Sequence, residues 1–272
     1  MKKYQYAALP YLIWSAVFVL VPLGLVAVFA FTTKDGAFTI DNIARVSNYT
    51  PVFMRSVWLA VLATAICLTV GYPLAYLMSR MKGVHQRTMV MLIMLPMWIN
   101  FLLRTYAWMT LLENNGVINS LLRLAGLGPV RMINTQGAVV LGMVYNYLPF
   151  MILPLYSIMT KIDNRVIEAA QDLGANPFCV FSRVILPLSV PGISTGVTMV
   201  FVPAISTFII SRMLGGGSNM LIGDLIDAQF LGNAYNPNLG AAISMVLMVF
   251  ILLVMSIFNQ FDDSEDREGL LI

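Results

Sequence analysis

Acid–base, nucleophilic and metal chemistry each need polar side chains gathered at short spacing, and this 272-residue sequence offers almost no such gathering. Its one histidine, His85, stands alone in a basic turn, where it reads as an interfacial residue or a pH-sensitive loop contact. Cys67 lies inside an apolar run and Cys179 in a polar connection, and neither has a second Cys or a His at ligand spacing. No disulfide and no metal site are expected. A Ser/His/Asp, Cys/His or paired intramembrane carboxylate set is also missing, so an enzyme reading has little to stand on. Gly215-Gly216-Gly217-Ser218 lacks the lysine with which a G-x-x-x-x-G-K-[S/T] loop reaches a phosphate, and it reads as a flexible turn on the outer face. No cofactor is expected on this chain.

What remains are polar and helix-breaking residues inside apolar stretches, which are expensive in hydrocarbon and tend to face a bundle interior. They are Asn100, then Tyr145, Asn146, Tyr147 and Pro149, then Pro203, Ser206 and Thr207. Each can line a pathway, or each can hold helices together; both readings stand at this point. Arg104 is the one charge placed within an apolar stretch, near its outer end, where it snorkels to headgroups or pairs with Glu113 or a partner subunit. Glu113, Asp224 and Asp227 fall on the outer side. A short, solvated outer helix is the favoured reading of the two aspartates, ahead of a role where substrate enters.

These residues need elements to hold them, and composition says which kind. Hydrophobic residues make up 59% and charged residues 11%, against about 45–50% and about 25% in a soluble globular domain. This is the composition of a membrane protein. The net charge of +3 is too small and dispersed for a nucleic-acid surface. A bilayer core of about 30 Å takes about 20 apolar residues per helical crossing, and six such stretches fall near 7–31, 56–78, 88–111, 137–160, 188–211 and 239–258. Residues 59–70 and 243–258 are apolar on every side, not alternating as barrel strands would be. The expected fold is an all-α polytopic membrane helix bundle, a single transmembrane domain over 1–272. The first stretch follows Lys2 and Lys3 but is too long for a signal-peptide core, and it is read as a true crossing.

Orientation follows from lysine and arginine. With the N-terminus cytoplasmic, Lys2, Lys3, Arg80, Lys82, Arg87, Lys161, Arg165, Arg183 and Arg267 are inside, against Lys34, Arg45, Arg55, Arg123, Arg131 and Arg212 outside. The longer set is the inner one, and the C-terminus is then also cytoplasmic. Asp262, Asp263, Glu265, Asp266 and Glu268 make residues 259–272 an acidic tail, expected to be a solvated, frayed end.

One connection does not read as a loop. Residues 161–187 form two short helices on the cytoplasmic side, the first capped by Asp163 and running through Val166, Ile167, Ala169, Ala170 and Leu173 to Gly174. Asn176 caps the second, with Pro177 at its first position, through Phe178, Phe181, Val184 and Ile185 until Leu186-Pro187. Val166, Ile167, Phe178 and Phe181 cannot all be buried by so small a segment, so periodicity leaves two readings: a docking surface for a partner, or a helix pair lying on lipid.

The order E-A-A-x-x-x-G-x(9)-V-x-L-P, from Glu168-Ala169-Ala170 through Gly174 to Leu186-Pro187, resembles the EAA loop of ABC importer permeases. Val184 stands where the family usually has Ile. The resemblance covers essentially the whole chain and is closest to the spermidine/putrescine permeases of the type I importers, B-type subunit. It includes Gly71-Tyr72-Pro73, Pro96-x-Trp98-x-Asn100 with Arg104-x-Tyr106, and Leu148-Pro149-Phe150 with Pro154-Leu155-Tyr156. Asn219-x-Leu221-Ile222-Gly223 and Gln229-Phe230 extend it.

The resemblance implies that Glu168, Ala169, Ala170, Asp172, Gly174, Asn176, Pro177, Phe178 and Phe181 belong to coupling helices that dock in a groove of a cytoplasmic ATPase. It also implies a homologous second permease subunit, an ATPase dimer using ATP and Mg, an extracytoplasmic polyamine-binding protein and a place in the bacterial plasma membrane. Tyrosine and tryptophan faces would then hold an alkylammonium by cation–π attraction, worth about 0.5–2 kcal/mol each. No carboxylate sits at the middle of a crossing, so the negative charge a polycation wants comes from the partner permease, or the pathway attracts only weakly. Importers of iron, phosphonate or another small solute share the same loop, and a self-contained secondary transporter is the reading from a different class.

Overall fold

The computed structural model describes residues 9–232 and 234–268; Lys2, Lys3, the start of the first apolar stretch and residues 269–272 of the acidic tail lie outside them. Among the described residues the chain is helical throughout, and the one extended pairing is an isolated bridge between Thr32 and Phe38. The chain forms two compact units. The residues up to Phe53 together with Leu225–Leu252 make one, and Met54–Asp224 with the residues from Leu253 onwards make the other.

In the first unit, α1 (Leu9–Ser15) passes through a π turn at Ala16–Leu20 into α2 (Val21–Ala30). Pro22 sits in the first turn of α2, where its missing N–H is tolerated. The side chains of Tyr11, Leu12, Trp14 and Phe18 are exposed, as a lipid-facing helix allows. After α3 (Asp41–Val46) and a 3₁₀ turn, α4 (Thr50–Ser79) begins; α14 (Ile222–Leu231) contributes its residues from Leu225 onwards and α15 (Pro237–Glu268) its residues up to Leu252 to the same unit. Ala30, Ala241 and Ala242 form its buried centre, packed by Val26, Phe31, Ile43, Val46, Phe230 and Met245.

The end of α2 is closed by the amides of Phe31 and Thr32, and two buried side-chain amides add to them. Asn238 Nδ2 donates to Phe29 O at 3.1 Å and Thr32 O at 2.7 Å, and Asn42 Nδ2 donates to Ala30 O at 3.2 Å and Thr32 O at 2.9 Å. Asn238→Ala is therefore expected to destabilise this unit by about 1–3 kcal/mol, read as a lower unfolding midpoint of the detergent-solubilised protein. An unchanged midpoint would show the carbonyls to be satisfied otherwise.

The second unit is built on α8 (Gln136–Met159). Before it come α5 (Gly83–Trp98), α6 (Phe101–Leu112) and α7 (Val117–Leu124). After it come α9 (Asn164–Asp172), α10 (Pro177–Val180), a π turn at Phe181–Ile185, α11 (Leu186–Leu188), α12 (Val190–Ile205) and α13 (Ile209–Gly215). Met143, Met151, Ile152, Leu155 and Met159 of α8 are almost wholly buried, as are Leu59, Ala60, Ala63 and Cys67 of α4. Small residues let the helices close up, as they do in lipid, where packing and not solvent exclusion drives association. A Cβ on Gly196 would lie 2.8 Å from Met151 Sδ, and one on Gly192 3.3 Å from Leu155 Cα.

Among the described residues, four helical stretches are long and apolar enough to cross a bilayer unaided: Pro10–Ala30, Asp41–Ser79, Gln136–Met159 and Pro237–Phe258. Two bent pairs raise the count to six if each is one span: Gly83–Trp98 with Phe101–Leu124 at 87°, and Pro177–Leu188 with Val190–Ile205 at 64°. Two expected crossings are thus corrected in shape. Residues 88–111 are not one helix, because Ile99 is extended and Asn100 starts a new helix, its Oδ1 accepting from Leu102 N at 2.8 Å. Residues 188–211 break after Ile205 and restart at Ile209. The acidic run, expected to fray, keeps helical backbone through Glu268, with no Gly or Pro between Gly240 and Gly269 to end it.

Candidate functional site

The 161–187 segment is set by local chemistry. The Asp163 carboxylate accepts from Arg165 N at 3.0 Å, and α9 ends at Leu173 followed by Gly174 at φ +84°, a left-handed turn that favours glycine. Asn176 Oδ1 accepts from Cys179 N at 2.7 Å and Pro177 opens α10. The second helix does not stop at Leu186-Pro187. It continues through the π turn to Leu188, since Pro187 occupies the first turn of α11, where no amide is required.

The segment sorts its apolar residues into two faces. Ile162, Val180 and Ile185 are buried, with Tyr76, Ile167, Ala170, Ala175 and Val184 against them. Phe181 stands edge-on to Tyr72, with ring centroids 5.6 Å apart. Ile167 and Phe181, expected on the exposed surface, therefore turn inward, while Val166, Leu173 at 89% exposure and Phe178 at 77% face out with Glu168, Ala169, Asp172 and Asn176. The outward face is the one a partner can reach.

Residues that sequence reasoning passed over hold this segment to the bundle. Arg80 Nη1 donates to Ile162 O at 3.5 Å and to Asn164 Oδ1, and its guanidinium lies 5.5 Å from the Tyr76 ring centre. The Tyr72 hydroxyl and Ser189 Oγ are hydrogen-bonded at 2.8 Å. The spacing 72, 76, 80, running from α4 into the turn after it, was the available signal.

The pathway candidates separate into three places. Asn100 is exposed at the α5–α6 break as the cap of α6. Tyr145 is half-buried, edge-on to Trp108 with centroids 5.3 Å apart. Asn146, Tyr147, Ser206 and Thr207 belong to the level where α12 breaks. The Tyr147 hydroxyl donates to Pro203 O at 3.3 Å, and Thr207 is buried. Ser206 is exposed and donates to Val202 O at 3.0 Å. Asn146, only 3% exposed, donates through Nδ2 to Gly142 O at 2.8 Å, and its Oδ1 finds no partner among the described residues. Gly223 seals the break: a Cβ there would lie 2.4 Å from Ser206 O and 2.5 Å from Thr207 O.

The outer acids differ from expectation. Asp224 is not solvated but buried at 5% exposure, its Oδ1 3.8 Å from Arg212 Nε and its Oδ2 accepting from Leu221 N at 3.0 Å. The cause is the packing of Leu221 and Ile222, both fully buried, with Ile222 N donating to Ser56 Oγ at 2.8 Å. Asp227 is half-buried and Glu113 is exposed at the end of α6. Arg104 lies 6.0 Å from the Phe101 ring centre, and its Nε and Nη1 are buried without a partner among the described residues, so neither atom bonds Glu113.

A broken-helix bundle with a capped helix pair at 161–187 has clear relatives. The family described as "Binding-protein-dependent transport system inner membrane component" matches residues 7–264. This chain belongs to that family. It is a permease subunit of an ABC importer, an inner-membrane component of a binding-protein-dependent system, which removes the reading of a self-contained secondary transporter. The permease is 41% identical over 267 residues to the spermidine/putrescine transport system permease protein PotB of Haemophilus influenzae, covering 94% of this chain and 92% of that one. Against PotB of Escherichia coli K12 it is 36% identical over 255 residues, covering 90% and 92%. Its fold is similar to a chain of a bacterial ABC transporter involved in the import of the acidic polysaccharide alginate, with a TM-score of 0.76 at 19% identity, covering 96% and 95%.

Proposed function

We propose that this permease forms half of the translocation pathway for polyamines of the spermidine and putrescine class, working by alternating access. The observation that carries the reading is the 41% identity to a spermidine/putrescine permease along nearly the full length of both chains. Its companions are a homologous second permease, two copies of an ATPase that uses ATP and Mg, and an extracytoplasmic polyamine-binding protein. Both termini are cytoplasmic, as the excess of lysine and arginine in the inner segments supports. The 161–187 segment then meets the ATPase through Glu168, Ala169, Ala170, Asp172, Asn176, Pro177 and Phe178, with Gly174 setting the turn and Phe181 anchoring it from within. ATP binding closes the ATPase dimer, carries this segment with it and opens the pathway outward; hydrolysis resets it.

The bundle can attract a cation without a carboxylate at mid-depth. A helix C-terminus carries about half a negative charge on carbonyls that no amide satisfies. Two helices end inside apolar stretches here, α5 at Trp98 and α12 at Ile205, beside Asn100 and Ser206 respectively. Asn146 Oδ1, Tyr145, Tyr147 and Thr207 add acceptors and ring faces that suit an alkylammonium. Glu113 and Asp227 are each assigned to the outer side, where substrate enters, and Asp224 acts there through its pairing with Arg212.

The test is uptake of labelled spermidine and putrescine by cells carrying the complete transporter, with and without this chain, with other solutes as competitors. Loss of polyamine uptake on deletion is expected. Unchanged polyamine uptake, with the ATPase still co-purifying, would assign the importer to another solute such as iron or phosphonate.

A further inference from the structure

We infer that Tyr72 and Tyr76 of α4, with Arg80 in the turn directly after it, form a clamp that grips both ends of the cytoplasmic helix pair, and that α4 carries its displacement to a latch between Ser56 and Ile222. This rests on the coupling role proposed above and names the residues that would execute it.

The three clamp residues are spaced four apart: Tyr72 and Tyr76 lie along one stripe of α4, and Arg80 follows in the turn just past its last residue, Ser79. Arg80 holds the way into the pair: its Nη1 donates to Ile162 O and Asn164 Oδ1, the last residue before and the first residue of α9 on either side of the Asp163 cap. Tyr72 holds the way out, bonded to Ser189 at the bend before α12 and packed edge-on against Phe181. Tyr76 fills the space between, against Ile162, Val180 and Ile185. The guanidinium stacked on Tyr76 ties the stripe together. With both ends held to one helix, the pair moves with α4 instead of swinging on its chain connections, and Leu173 and Phe178 stay free on the far side.

The same helix reaches the opposite face. From Tyr72 back to Ser56 is roughly 24 Å at 1.5 Å per residue, and the helix is continuous across Pro73. Ser56 Oγ accepts the amide of Ile222, the first residue of α14, which has no partner within its own helix. The adjoining Gly223 sits against the carbonyls at the α12 break. A shift of α4 at the ATPase side thus reaches the break that holds the polar pathway residues. Tyr72, Tyr76, Arg80 and Ser56 are positioning residues, since none of them needs to touch substrate.

The experiment uses the whole complex with its ATPase and binding protein, comparing wild type with Arg80→Ala, Tyr72→Phe, Asn164→Ala and the Arg80→Ala/Asn164→Ala double variant. Two quantities are read: uptake per ATP hydrolysed, and the change in amide exchange of the peptide containing Ile222 when ATP is trapped on the complex. Expected are a fall in the uptake ratio on the order of tenfold in Arg80→Ala and Tyr72→Phe, loss of the ATP-induced exchange change, and little further loss in the double variant. Tyr72→Phe removes one hydroxyl and guards against misfolding as the cause. A wild-type exchange response in both single variants would overturn the clamp, as would loss of uptake that merely tracks loss of bound ATPase. Absence of spermidine uptake in the wild type would overturn the polyamine reading alone, because the exchange response needs no transported solute.

Discussion

Replacing Gly174 with proline is expected to abolish uptake, by roughly 100-fold or more, while the protein still inserts in the membrane. Gly174 sits at φ +84° and donates its amide to Gln171 O at 2.8 Å. Proline is confined near φ −65° and has no amide, so it can neither adopt the turn nor keep the bond. The angle between α9 and α10 changes, and Glu168 and Phe178 are no longer presented together. Nothing lies within 4 Å of the position a Cβ would take, so the damage is to the backbone path and not to packing in the bundle. Glu168→Lys makes the complementary change, reversing a charge on the exposed face without touching the turn, and it too is expected to uncouple transport. Membrane fractionation, co-purification of the ATPase and uptake check both variants. Normal uptake in both would count decisively against the coupling role.

Gly223→Val is expected to be as damaging from the other side of the protein. The atoms facing Gly223 are the backbone carbonyls of Ser206 and Thr207, at 2.4 and 2.5 Å from a Cβ, and neither has a flexible end that can swing away. The start of α14 must shift, and with it the bonds from Ile222 N to Ser56 and from Leu221 N to Asp224. Each buried bond lost costs about 1–3 kcal/mol, so uptake falls to background and the solubilised protein unfolds at lower temperature. Gly217→Ala is the control, since nothing lies within 4 Å of a Cβ there. Equal activity of the two variants would mean that α14 has slack the geometry does not show.

Much of the 161–187 helix pair was legible because its determinants are local. Asp163, Gly174, Asn176 and Pro177 act on amides one to three residues away, and such rules are written in residue order. Which apolar residues of the pair stayed exposed was not legible, because Ile167 and Phe181 are buried by Tyr76 and Tyr72, some ninety or more positions earlier. The polar pathway candidates were found by type, yet their grouping was hidden. Pro96 and Pro203 mark two helices that end early, but Asn100 could be seen as a cap only once Ile99 was known to be extended. Asp224 read as a solvated acid because its partner Arg212 belongs to a different helix and its burial comes from Leu221 and Ile222.

The sequence by itself determined the membrane setting, the helical class, the position in the chain of the 161–187 helix pair and the family, since hydropathy, capping and an extended motif are properties of neighbouring residues. Tertiary structure alone decided that two crossings are bent, that Asp224 is ion-paired, and that Tyr72, Tyr76 and Arg80 grip the pair at both ends. Each of these depends on contacts such as Arg80 to Asn164 or Ser56 to Ile222, where partners 84 and 166 residues apart meet only after the helices have packed.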